Sequence, residues 1–114
     1  MKKLMFAAIC AAVSMSASAA RGDAANGEAL VKKYNCAACH GDKFNNPIDP
    51  SYPKLAGQHA EYLAHALVAY KRGDGPNGRV NAIMAGQVKP LSNKDIIDIA
   101  TYLNELPPAL VIKR

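Results

Sequence analysis

Apolar and polar positions alternate with a helical period in three stretches of this chain, and no run alternates as a strand would. From about Asp23 to Asn35, Leu30, Val31 and Tyr34 fall on one face, with Asp23 or Asn26 available as a cap. From about Gln58 to Arg72, Tyr62, Leu63, Ala66, Leu67 and Tyr70 recur three or four residues apart, and Gly73 stops the pattern. In the third stretch Ser92 is placed as N-cap and Asp95 at the third helical position, as in a capping box. Ile96, Ile99, Ala100, Leu103 and Leu106 form its apolar stripe, and Pro107-Pro108 ends it. The pattern predicts an all-α domain.

The connections are less regular. Lys43 to Pro53 carries three prolines, Asn45-Asn46 and few apolar residues. Gly73 to Asn81 reads as turns, and Asn81 to Gly86 as a loop of small residues around Met84. Loops this rich in Pro and Gly bury little by themselves, so the middle of the domain is expected to be filled by something other than side chains.

The N-terminus changes what counts as the folded chain. Met1-Lys2-Lys3 is followed by an uncharged apolar run from Leu4 to Val13 and by Ala17-Ser18-Ala19, the small-x-small form of a cleavage site. This predicts a signal peptide over residues 1–19 and one domain over 20–114, exported to the periplasm or an equivalent compartment. An apolar run of about 10 residues is too short to span about 30 Å of hydrocarbon, so no stable membrane insertion is expected after cleavage. Cys10 lies inside that run and leaves with it. What remains holds Cys36, Cys39 and a single methionine, Met84. Loss of two lysines lowers the net charge from +5 to about +3, and there is no Trp. That charge is too weak to argue for nucleic acid; it suits an encounter with an acidic protein surface.

Cys36-Ala37-Ala38-Cys39-His40 is the candidate chemistry. A C-x-x-C-H run reads as a c-type haem attachment site. Two thiols two residues apart reach the two vinyl groups along one edge of a porphyrin, and the following imidazole projects at the iron. A thioredoxin-like pair would need a βαβ context, and a zinc site would need a second ligand pair; neither is in the sequence. A Cys36–Cys39 disulfide would leave His40 unexplained. Met84 is the favoured sixth ligand, a soft thioether in a small-residue setting, with His59 and His65 as rivals that flank the middle helix off its apolar stripe.

With these residues placed, the chain resembles a class I cytochrome c. More narrowly, Pro50-Ser51-Tyr52-Pro53-Lys54-Leu55-Ala56-Gly57-Gln58, Tyr62-Leu63, Met84-Ala85-Gly86 and Pro90-Leu91-Ser92 are similar to one half of the dihaem periplasmic cytochromes of the c-four type. The resemblance implies an all-α fold of about three to five helices wrapped around one covalent haem. It also implies crossed first and last helices, with Gly27 and the Leu30/Val31 face against Ile99, Tyr102 and Leu103, and a loop proline carbonyl accepting the His40 Nδ1–H, for which Pro50 is the matching position.

The expected function is a non-enzymatic, single-electron carrier with one haem c, through Cys36 and Cys39, and His40/Met84 ligation. Electrons would pass at the haem edge near Cys39, among Ala37, Ala38, Ile83 and Ala85, with Lys43, Lys54, Lys89 and Arg79 as candidate steering charges. The partners would be redox proteins with acidic docking surfaces, such as a respiratory oxidase or reductase complex. Two alternatives stay open. The chain would otherwise be the electron-accepting subunit of a periplasmic dehydrogenase complex. With Met84 unbound, it would be a small-ligand or peroxide-reacting haem protein, for which only Asn81 and Gln87 offer distal polar groups.

Overall fold

A computed structural model of the protein describes residues 22–109, which contain the first and last helices and everything between. The segment expected to be a signal peptide, residues 1–19, lies outside the described residues. Five helices follow one another: α1 (Ala24–Lys33), α2 (Ala37–His40), α3 (Ala60–Arg72), α4 (Ala82–Val88) and α5 (Asn93–Glu105). No strand occurs among the described residues, and no helix there is long and apolar enough to cross a membrane.

The helix ends obey their local chemistry. Asp23 caps α1 by accepting from the Asn26 N–H at 3.1 Å. At α5, Ser92 Oγ accepts the Asp95 N–H and the Asp95 carboxylate accepts the Ser92 N–H, both at 3.0 Å, so the predicted capping box is complete. Gly73 closes α3 at a φ of 61°, where a Cβ would be strained. Leu106 leaves α5 in an extended conformation, as the residue before a proline prefers.

Packing is organised by α5. It crosses α1, lies against α3, and buries Ile96, Ile99, Ala100 and Leu103. The α1 contact is close because Gly27 is buried, and a Cβ there would collide with the Asp98 backbone and with Tyr102 Cβ. The expected crossing at Gly27 and Val31 is therefore present. Val31, Leu63, Val88 and Leu91 complete one apolar cluster with the α5 stripe.

Two expectations about the connections change. The segment around Met84 is not a loop but the helix α4, capped by Asn81, whose side chain accepts from the Met84 N–H at 3.0 Å. Alanines at 82 and 85 favour helix, and the Asn cap offsets part of the cost of Gly86. The loop after the C-x-x-C-H run is also better anchored than its composition implies. Phe44 is 3% exposed, meets Tyr102 edge to face at 6.4 Å, and packs into the core. Its carbonyl accepts from both Leu55 and Ala56, at 2.8 and 2.9 Å. Its φ of 56° is unusual for a bulky residue and is held by these contacts.

Candidate functional site

The C-x-x-C-H run is positioned by the end of α1. Asn35 takes a φ of 52°, a conformation that Asn tolerates, and turns the chain. The Cys36 N–H then bonds back to the Val31 carbonyl at 3.0 Å and the Asn35 N–H to Lys32 at 3.2 Å. That pair of bonds is the Schellman closure of a helix, and it delivers Cys36 at the edge of the core. The single turn of α2 follows, and the i, i+3, i+4 spacing of Cys36, Cys39 and His40 puts all three on one face of it. Gly41, at a φ of 89°, ends it against the backbone of Asn46.

The two thiols are unpaired and half-buried. Burial pushes the Cys36 thiol above its ordinary pKa, so it waits as a neutral thiol in an apolar setting. His40 is buried, with Nδ1 2.9 Å from the carbonyl oxygen of Pro53. A carbonyl can only accept, so Nδ1 carries the proton and the lone pair of Nε2 is left to face away from the loop. The acceptor is Pro53, not Pro50. Residues 49–52 form a turn in which Asp49 accepts from the Ser51 N–H at 2.8 Å and the Tyr52 N–H returns to the Asp49 carbonyl at 3.0 Å. That turn consumes Pro50 at the surface and brings the chain back to the imidazole three residues later.

Two adjoining clefts, of about 640 and 960 Å³ with solvent included, open beside this turn. Cys39, His40, Leu55, Leu67, Ile83, Met84 and Leu103 line both. His40 arrives from α2 and Met84 from α4, so the two candidate axial ligands share one apolar space, with Cys36 and Cys39 along its edge. Val31, Leu55, Leu67, Val88, Leu91 and Ile99 make the first cleft hydrophobic. This donor set fits a haem c: two free thiols, an imidazole with its tautomer fixed, a thioether, and a dry lining for the ring. No group of three His, Cys, Asp or Glu side chains converges on a metal site among the described residues.

The rival ligands are elsewhere. His59 precedes α3 and His65 lies along it; both are exposed and neither lines a cleft. The two distal polar candidates sit in different clefts: Asn81, whose Oδ1 is held by the α4 cap, lines the second, and Gln87 lines the first. Lys54 and Arg79 line the second cleft, Lys43 borders a shallow groove beside Ala37 and Ala38, and Lys89 lies past α4. The apolar stripe of α3 faces the second cleft through Tyr62, Leu63, Ala66, Leu67 and Tyr70, and Tyr62 is 52% exposed. Residues that helical periodicity assigns to a core here line a cavity.

Comparison with known proteins agrees with this arrangement. Residues 24–107 match the family model described as Cytochrome c. Cytochrome c4 of Stutzerimonas stutzeri is 42% identical over 90 residues, covering 75% of this chain and 41% of that protein. Cytochrome c-554(548) of Halomonas halodenitrificans is 42% identical over 81 residues, covering 71% of this chain and 93% of that protein. The crystal structure of reduced cytochrome c4 from Pseudomonas stutzeri superposes with a TM-score of 0.67 at 39% identity, over 76% of this chain and 47% of that one. The chain thus spans about two fifths of the cytochromes c4 it matches and nearly all of the c-554(548). The match over residues 24–107, the helical architecture and the placement of Cys36, Cys39 and His40 make the chain a member of the cytochrome c family, with the class I fold of one half of a cytochrome c4.

Proposed function

We propose that the protein is a periplasmic single-electron carrier holding one haem c through Cys36 and Cys39, with His40 and Met84 as axial ligands. The observation that carries this reading is the apolar space lined jointly by His40 and Met84, with both thiols at its edge. Bound there, a haem supplies a one-electron Fe(III)/Fe(II) couple.

The residues of the chain do the rest. Pro53 holds the Nδ1 proton of His40, which fixes the tautomer, orients the ring and makes Nε2 a stronger donor. Asn81 fixes the first turn of α4 and with it the backbone of Met84. Leu67, Val88, Leu91 and Ile99 exclude water, so a change of charge at the site meets little solvent reorganisation. Thioether ligation together with a dry lining favours the reduced form and a higher potential. Exposed Ile83 at the cleft mouth, with Lys54 and Arg79 nearby, offers a small apolar contact with a positive rim, suited to transient encounters with acidic redox partners. Residues 1–19 provide the export that a haem-attachment system outside the cytoplasm requires.

A second reading has a specific observation behind it. A protein named thiosulfate dehydrogenase electron acceptor, from Thiomonas intermedia, is 41% identical over 76 residues, although the chain covers only 33% of it. Service as the electron acceptor of a dehydrogenase would use the same site.

The ligand assignment is tested by absorption spectroscopy of the haem-loaded protein. Oxidised protein should show the weak near-infrared sulfur-to-iron band, and Met84→Ala should abolish it, lower the potential and admit cyanide. His59→Ala and His65→Ala should leave the band in place. Its loss in a histidine variant, with Met84→Ala unaffected, would refute the assignment.

A further inference from the structure

The bond between His40 and Pro53 is only as well aimed as the loop that carries Pro53, and one residue with an unfavourable backbone joins both sides of that loop. Before Pro53, the Asp49–Tyr52 turn selects which proline arrives but leaves its carbonyl one residue past the last turn bond. After it, the N–H groups of Leu55 and Ala56 both donate to the Phe44 carbonyl, at 2.8 and 2.9 Å. Those two bonds fix the chain two residues beyond the oxygen that faces His40. The Phe44 N–H in turn donates to the Gly41 carbonyl at 3.0 Å, directly after the α2 turn that carries His40. Phe44 therefore reaches the imidazole's own turn with its N–H and the imidazole's acceptor segment with its carbonyl.

The side chain is what holds Phe44 there. A φ of 56° suits Gly or Asn and is unfavourable for a phenylalanine, and strain of this kind persists only where the surroundings over-determine it. Here the ring is 3% exposed, packs into the core and meets Tyr102 edge to face at 6.4 Å. Tyr102 belongs to α5, and its Cβ lies against Gly27 at the crossing with α1. We propose that Phe44 is a positioning residue whose ring, seated on Tyr102, holds its own carbonyl where it aims Pro53 at His40. The packing of α5 then sets the hydrogen bond behind the imidazole, and with it how strongly Nε2 donates. This rests on the haem-binding reading above.

The test uses the reduced, haem-loaded protein and follows the His40 Nδ1–H by proton NMR, through its chemical shift and its exchange with deuterium. Glycine relieves the backbone at residue 44 but removes the ring, so the two demands on the position separate. Phe44→Gly should move the resonance upfield and speed its exchange on the order of tenfold, as loss of one hydrogen bond would. Phe44→Leu keeps an apolar plug and should stay close to wild type in both readouts. Ile96→Ala is the control, because Ile96 is 1% exposed in the same core and lines neither cleft. It should lower the denaturation midpoint and leave the chemical shift in place. Should Phe44→Gly take up no haem, Phe44→Ala carries the same comparison. An unchanged shift in the ring-deleted variant, or an equal shift in Ile96→Ala or Phe44→Leu, overturns the proposal and leaves Phe44 as core filling only. Wild-type protein that takes up no haem would instead condemn the underlying reading, so the two failures are separable.

Discussion

Replacing Asp98 with alanine should unfasten the α1–α5 crossing from which the haem-binding turn is launched. Asp98 is 1% exposed and accepts three hydrogen bonds, from the Asp23 N–H at 2.8 Å, Asn26 Nδ2 at 2.6 Å and Lys94 Nζ at 2.5 Å. Beside it the Gly22 N–H donates to Thr101 Oγ1 at 2.9 Å, so the whole entry to α1 is tied to α5. Burial pushes the Asp98 carboxyl up, but the bonds from Lys94, Asn26 and Asp23 outweigh burial and hold it below the ordinary carboxylate value. In Asp98→Ala the Asp23 N–H and the Asn26 amide lose their acceptor, while exposed Lys94 simply returns to water. Hydrogen bonds to charged groups contribute about 1.5–3 kcal/mol each and are not additive, so the loss should be about 3–4 kcal/mol. For a domain of this size that is a fall in Tm of about 15–25 °C. Because the folded pKa lies below the unfolded value of about 3.9, the stabilisation is complete above that pH and is lost as pH falls through the folded pKa. Guanidinium unfolding of haem-loaded wild type and Asp98→Ala, followed by far-UV circular dichroism, should give a constant difference from about pH 5 to 8 that shrinks in stronger acid. A difference below about 1 kcal/mol at pH 7, or one undiminished in strong acid, would refute the reasoning.

Two further outcomes are expected. Gly27→Ala should cost about 1–3 kcal/mol by forcing α1 off the Asp98 backbone, read as a lower denaturation midpoint and a lower yield of haem-loaded protein. Haem should stay with the polypeptide through denaturation and acid–organic extraction, whereas Cys36→Ala combined with Cys39→Ala should release it, as read by haem staining of a denaturing gel.

The three long helices were legible because each carries its period and its punctuation together. Ser92 and Asp95 announce α5, and both bonds of the capping box are made; Gly73 ends α3 where a left-handed residue is needed. Helix α4 was not legible. Seven residues dominated by alanine and other small or flexible side chains show no contrast between faces, and the one cue was an asparagine three positions before Met84. Phe44 was missed for a related reason: a single apolar residue in a polar loop has no period, and only the fold shows that it plugs the core beside Tyr102. The exchange of Pro50 for Pro53 reflects how a turn takes up chain. Either proline offers a carbonyl, and the Asp49–Ser51 bond decides which one arrives at His40.

The reading of α3 shows most clearly where sequence periodicity stops. Its apolar stripe is real, yet only Leu63 of that stripe is buried, and Tyr62 stands half exposed at the cleft mouth. Periodicity says that a face is apolar but not what it faces. The thin composition of the loops had already implied a missing filler, and Cys36, Cys39 and His40 named its chemistry. The clefts join the two observations: Leu67 and Leu103 line them together with His40 and Met84, so side chains that complete a core and the side chains proposed as axial ligands address the same space. In a chain this short, an apolar ring in that space would contribute both the redox couple and much of the buried surface that holds α3, α4 and α5 together. Folding and function are then one event, which is why the unpaired face of α3 and the C-x-x-C-H run belong to a single argument.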